Sequence, residues 1–188
     1  MTAGPQPAVE TPRIVLCRHG ATDHNLAGRF LSRSDPPLGI RGREQCEKLA
    51  RELAGFSFER CISSPMLRCL QTREIVVPAT PFRVDDALRE IDFGAWEGKT
   101  LEWVEQHAPD ELERRRQDPA RFRPPEGENF MDVAERLQDL AAELQRSSGV
   151  LVVAHRGTLG VLERLLRGLP IDSRAVTPLE PAEFRPLG

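Results

Sequence analysis

The sequence predicts an α/β protein with a largely parallel sheet, and three observations carry that prediction. Two short runs, "RIVLC" (13–17) and "GVLVVAH" (149–155), are almost continuously apolar, as strands buried on both faces are. Amphipathic helical segments lie between the strand candidates, so strand and helix alternate along the chain. The 188 residues suffice for a single domain with a full core, and no internal repeat or long low-complexity segment divides them.

Residues 1–12, "MTAGPQPAVETP", carry neither the basic nor the apolar region of a signal peptide and read as a disordered tail ahead of a domain over 13–188. The strand at 13–17 runs into "RHGATDHN" (18–25) and then a loop rich in Gly, Asp and Pro that ends in "SDPPLG". A helix follows over roughly 41–53, with Cys46, Leu49, Ala50 and Leu53 on one face and Gly55 as its stop. "FERCISS" (58–64) reads as the second strand. Ser64 and Pro65 then read as the N-cap and first residue of the helix "PMLRCLQTREIV". A weaker third strand sits at 82–84, and the stretch 100–122 is helical in character with interruptions at Pro109 and Pro119. "NFMDVAERLQDLAAELQ" is an amphipathic helix with Val133, Leu137, Leu140, Ala141 and Leu144 on one face. After the strand at 149–155 comes a last helix, "TLGVLERLLRG", ending at Gly168, and the Pro-rich remainder offers one edge strand near "AVTPLE" (175–180).

Composition excludes several classes of function. The net charge is −3 and the pI about 5.9, so no global basic field attracts nucleic acid. No apolar stretch reaches the ~20 residues that span a bilayer. Cys17, Cys46, Cys61 and Cys69 form no C-x-x-C pair and no zinc spacing with His, and read as reduced, mostly buried thiols suited to the cytoplasm.

A parallel sheet brings the carboxyl ends of its strands to one edge, where ligands bind. The first strand runs out into Arg18-His19, the second into Ser63-Ser64 with Arg68 on the next helix, and the strand at 149–155 into His155-Arg156-Gly157. Two imidazoles and at least two guanidinium groups then converge, and clustered cations repel unless they share an anion. Helix N-termini at that edge add backbone N–H donors and a favourable dipole.

These residues resemble the signatures of the histidine phosphatase superfamily, relatives of the cofactor-dependent phosphoglycerate mutases. "LCRHGATDHN", "DPPLGIRGREQ", "ISSPMLRCLQT", "LREIDFGAWEG", "PPEGENFMDVAERL" and "VVAHRG" are similar to the family's blocks, in the family's order, across roughly 13–168. The resemblance implies a three-layer, mostly parallel sheet with helices on both faces. It implies His19 as the phosphoryl-accepting nucleophile, Glu90 as proton donor and then base toward water, and Arg18, Arg68 and His155 as holders of the phosphate oxygens. Asn25 adds a hydrogen bond, and Arg156, where relatives often have Gly, contributes its backbone N–H. Ala21 and His24 also depart from the family pattern without removing any of these groups. No metal or other cofactor is expected.

The chemistry explains the residue types. Phosphoryl transfer needs positioning and charge stabilisation, which the arginine fork supplies. A histidine ringed by cations stays neutral and keeps a lone pair. An alkoxide leaves poorly without a proton, hence the carboxyl group.

At 188 residues the chain resembles the compact phosphatase branch, including α-ribazole phosphatase-like enzymes, more than the longer mutases. The expected partner is a small phosphomonoester, with no nucleic acid or membrane, and a monomer or homodimer. Mutase-type transfer, a phosphohistidine-protein phosphatase and a non-catalytic phosphate-binding module are the alternatives. Residues 96–125 are the candidate specificity segment. Arg114, Arg115, Arg116, Arg121 and Arg123 there either meet a second anionic group or form a solvated helix face. Trp96 and Trp103 either stack on substrate or pack in a core.

Overall fold

A computed structural model describes residues 11–172 and 176–188; most of the predicted tail lies outside them. Strands β1 (Ile14–Arg18), β2 (Arg60–Ser63), β3 (Phe82–Val84), β4 (Val150–Ala154) and β5 (Phe184–Leu187) form one sheet in the order β3-β2-β4-β1-β5. All pairings are parallel except that of β5 with β1. The helices are α1 (Asp23–Leu26), α2 (Ile40–Glu52), α3 (Leu67–Val76), α4 (Leu101–His107), α5 (Pro109–Gln117), α6 (Phe130–Leu144) and α7 (Arg156–Leu166).

The period of two along each strand divides the core into two layers. Ile14, Leu16, Ile62, Val150 and Val152 point to the face covered by α6 and α7. Val15, Cys17, Cys61, Leu151 and Val153 point to the face covered by α2 and α3. All four cysteines are free thiols buried in this second layer, where burial pushes Cys61 up to about 12. A smaller cluster of Trp96, Val104 and Leu112 anchors α4 and α5 beside the sheet. Trp96 therefore packs in a core, and Trp103 stacks on His107 at 4.3 Å between ring centroids.

Several boundaries differ from the sequence reading. The third helix begins at Leu67 with Met66 as N-cap, so neither Ser64 nor Pro65 has the predicted position. The last helix begins at Arg156, two residues early, because His155 serves as its N-cap. Pro109 starts α5 as well as ending α4. The final strand lies at 184–187, not near 175–180, of which Ala175 is outside the described residues. Its Pro186 sits opposite Val15 on the outer strand of the sheet, where a missing N–H is tolerated.

Strand register sets the functional edge. Arg18 pairs with Ala154 and Ser63 with Val153, so β1, β4 and β2 end level. The next residues are then fixed by the neighbouring strand: His19 N–H donates to Ala154 O at 3.0 Å and Ser64 N–H to Val153 O at 2.9 Å. The turn after β1 packs backbone to backbone on α2, which requires glycine on both sides. A Cβ on Gly20 would lie 2.6 Å from Gly42 O, and one on Gly42 would lie 2.0 Å from Ala21 O. Gly42→Ala is expected to lower stability by roughly 1–3 kcal/mol, because a carbonyl cannot yield as a side-chain tip can. Urea unfolding reads the loss, and an unchanged midpoint would show that the turn relaxes freely.

Candidate active site

Arg18, His19, Arg68 and His155 converge at the level ends of β1, β2 and β4, as the sequence reading expects. His19 and His155 meet edge to face with ring centroids 5.1 Å apart. His19 Nδ1 lies 2.7 Å from Gly20 O. A carbonyl only accepts, so Nδ1 carries the proton and Nε2 the lone pair. Burial, then the Arg68 and Arg18 cations, push the His19 imidazole well below its ordinary range, against the Gly20 hydrogen bond.

Each arginine is tethered at one corner of its fork. Arg18 Nη1 donates to Leu179 O at 3.0 Å and lies 3.6 Å from Glu180 Oε2. Arg68 Nη1 donates to Ser34 O at 3.0 Å and lies 3.6 Å from Asp35 Oδ1. Among the described residues, Arg18 Nε and Arg68 Nε and Nη2 are buried with no hydrogen-bond partner in the chain. Buried guanidinium donors without acceptors are costly, and oxygens of an anion fit them.

Glu90 reaches the same edge from the loop before residue 94, held by the first turn of α7. Its Oε1 accepts from Ile91 N (3.0 Å) and Thr158 N (3.1 Å), and its Oε2 from Gly157 N at 3.3 Å. The helix N–H groups expected to face an anion are thus partly spent on this carboxylate. Gly157 allows the approach, since a Cβ there would lie 2.8 Å from Glu90 Oε1.

Arg18, His19, Asn25, Glu90 and Arg156 border one cleft of about 790 Å³. A smaller cavity of about 260 Å³, beside Arg13 and Gly188 near the opposite end of β1, contains none of these groups. Asn25 Oδ1 accepts from Thr22 N and Oγ1, both at 3.0 Å, which leaves Nδ2 as the group it offers. The Arg156 side chain also borders the cleft and pairs with Glu180 Oε1 at 3.3 Å, so more than its backbone is present. Among the described residues, no group of three or more His, Cys, Asp or Glu side chains is placed to hold a metal ion.

The five arginines of 114–123 separate. Arg116, Arg121 and Arg123 pair with surface carboxylates, Arg123 with Asp132 at 2.7 Å, although Arg116 also borders the cleft. Arg114 lies over Phe122. Arg115 enters the cleft wall over Phe30 and Trp96, 5.4 and 5.3 Å from the ring centroids, and no carboxylate pairs with it among the described residues.

Sequence reasoning missed the residues that hold others in place. Glu97 accepts from Ser32 N and Oγ and from Ser34 N at 2.6–3.0 Å, fixing the loop whose Ser34 carbonyl holds Arg68. These hydrogen bonds hold Glu97 below the ordinary carboxylate range although burial, the largest single influence, acts the other way. Glu180, shared between Arg18 and Arg156, carries no sequence signal at all.

The family model of the histidine phosphatase superfamily (branch 1) matches residues 14–187. Human 6-phosphofructo-2-kinase/fructose-2,6-bisphosphatase 1 is 37% identical over 155 residues, 81% of this chain and 32% of that protein. The chain therefore spans about a third of such curated relatives. Among solved structures, a mycobacterial glucosyl-3-phosphoglycerate phosphatase shares 31% identity with a TM-score of 0.82, covering 91% of this chain and 90% of that one. The α-ribazole phosphatase from Shigella flexneri shares 27% with a TM-score of 0.81, covering 91% and 87%.

Both site histidines are held neutral, His155 by burial and then by His19, Arg68 and Arg18. Their folded pKa values lie below the unfolded value near 6.5, so the unfolded chain binds more protons and stability falls as pH drops through that value. Urea midpoints between about pH 7.5 and 5.5 should decline toward acid, and replacing both histidines with asparagine should flatten the slope. A midpoint that rises toward acid contradicts the neutral assignment.

Proposed function

The chain belongs to the histidine phosphatase superfamily, branch 1, and on that premise we propose that it hydrolyses small phosphomonoesters through a phosphohistidine on His19. The observation that carries the reading is the set of three buried guanidinium donors without partners among the described residues, beside a neutral imidazole that keeps its lone pair on Nε2.

His19 Nε2 attacks phosphorus with its lone pair as the ester P–O bond breaks. Arg18 and Arg68 take the charge on the phosphoryl oxygens, with Asn25 Nδ2, His155 and the Arg156 backbone N–H completing the cradle. Glu90 gives its proton to the departing oxygen. Oε2 is the oxygen for this role, because Oε1 accepts two shorter backbone bonds and Oε2 one longer one. The resulting carboxylate then takes a proton from water. The water oxygen attacks phosphorus, the P–N bond breaks and its electron pair returns to Nε2.

In this reading residues 96–125 supply substrate choice, and Arg115 meets a second anionic group on the substrate. Stacking on Phe30 and Trp96 leaves the edge of its guanidinium plane to donate. The names fructose-2,6-bisphosphatase and glucosyl-3-phosphoglycerate phosphatase support this class, since both designate esters with a further phosphate or carboxylate.

Turnover of a chromogenic phosphomonoester without added metal tests the reaction. His19→Ala should abolish it, and persistent turnover refutes the nucleophile. Glu90→Gln should slow esters of poor leaving groups by about 10²–10⁴-fold and good ones far less; equal slowing argues against Glu90 as the acid. Arg115→Ala should cut kcat/KM about 10- to 100-fold for phosphoglycerates or sugar bisphosphates while sparing a phosphomonoester that has no second anionic group. Uniform loss across the panel removes Arg115 from specificity.

A further inference from the structure

Ser64 has no capping role, and its side chain is spent elsewhere. The residue is fully buried and its hydroxyl lies 2.8 Å from His155 Nε2. Met66 N–H points at the same oxygen at 3.4 Å. An N–H only donates, so Ser64 Oγ accepts there and its single hydroxyl proton remains for another partner. Cys69 Sγ is also near, 3.5 Å from Nε2, but a thiol is a weak hydrogen-bonding group and the shorter oxygen contact prevails. The other ring nitrogen, Nδ1, has only that sulfur at 3.9 Å and no oxygen or nitrogen partner among the described residues.

We propose that Ser64 is a positioning residue: its hydroxyl donates to His155 Nε2 and holds the ring in the tautomer that carries its proton on Nδ1. His155 then meets a phosphate oxygen as an N–H donor and not with a repelling lone pair. The inference rests on the reading that this cleft binds phosphate and that His155 belongs to the site. A neutral imidazole makes the tautomer matter, because it has one N–H to give, and His155 is held neutral by its surroundings. The β2 register places the hydroxyl, through the Ser64 N–H bond to Val153 O at 2.9 Å.

The test uses the full chain labelled with ¹⁵N, with ring nitrogen resonances read by NMR and inorganic phosphate as the ligand. The wild type should show His155 protonated on Nδ1 and bare on Nε2. Ser64→Ala should move the proton to Nε2 or to a mixture, and weaken phosphate binding and turnover about tenfold or more. Ser64→Thr keeps the hydroxyl and should restore both. A wild-type ring protonated on Nε2 overturns the proposal, even if neither variant folds. Phosphate affinity that stays at the wild-type level in Ser64→Ala overturns it too, whichever tautomer that variant adopts. A wild type that hydrolyses no phosphomonoester refutes the proposed reaction instead, while the tautomer and the phosphate affinity still decide on Ser64.

Discussion

Two guanidinium groups buried at the ends of parallel strands, both acting on one buried imidazole, form the constraint on which the site depends. Taking charged groups out of water is costly unless they are paired and hydrogen-bonded. The chain offsets that cost only in part. Each arginine gives one nitrogen to a backbone carbonyl, Leu179 O or Ser34 O, and has one carboxylate at 3.6 Å. Those tethers fix the orientation of both forks without spending them. The remaining donors stay directed by a frame that the sheet register, and not the loops alone, holds in place.

The same field separates the roles of the titratable groups. Burial and the two cations keep His19 neutral, which is the form with a lone pair. Glu90 sits instead on the N–H groups of α7, the helix whose N-cap is His155. One helix terminus therefore places both the second imidazole and the carboxyl group. That coupling favours glycine at residue 157: a Cβ there would lie 2.8 Å from Glu90 Oε1, so the carboxylate would have to shift on its donors to make room.

How much of this was legible in the sequence follows the range of each interaction. β1 and β4 were readable because burial on both faces leaves a nearly unbroken apolar run. His19, Arg68 and His155 were placed together by the inference that parallel strands end at one edge, and the family blocks added Glu90 and Asn25. β5 escaped because its pattern, "FRPL", carries a proline and makes sense only beside β1. Ser64 misleads for the same reason. Locally, Ser before Pro indicates a helix cap, whereas its actual partner, His155, lies 91 residues on. Glu97, Ser34 and Glu180 act through contacts with distant segments, and no local pattern reports them.

The arginines of α5 show where sequence reasoning stops and what resolves it. A run of three consecutive arginines has no intrinsic inside or outside. Leu112, buried in the small aromatic cluster, sets the phase of the helix, and Arg115 stands three residues on, over the same face. There, among the described residues, it meets aromatic rings and no carboxylate, so its planar edge stays available to donate. Arg156 is the contrasting case, with its guanidinium already paired to Glu180. On the proposed reading the cleft thus has two differently built cationic ends. One is tethered by backbone carbonyls and tuned to the phosphoryl group common to every substrate. The other rests on an aromatic shelf, where a change of leaving group alters binding without disturbing the chemistry.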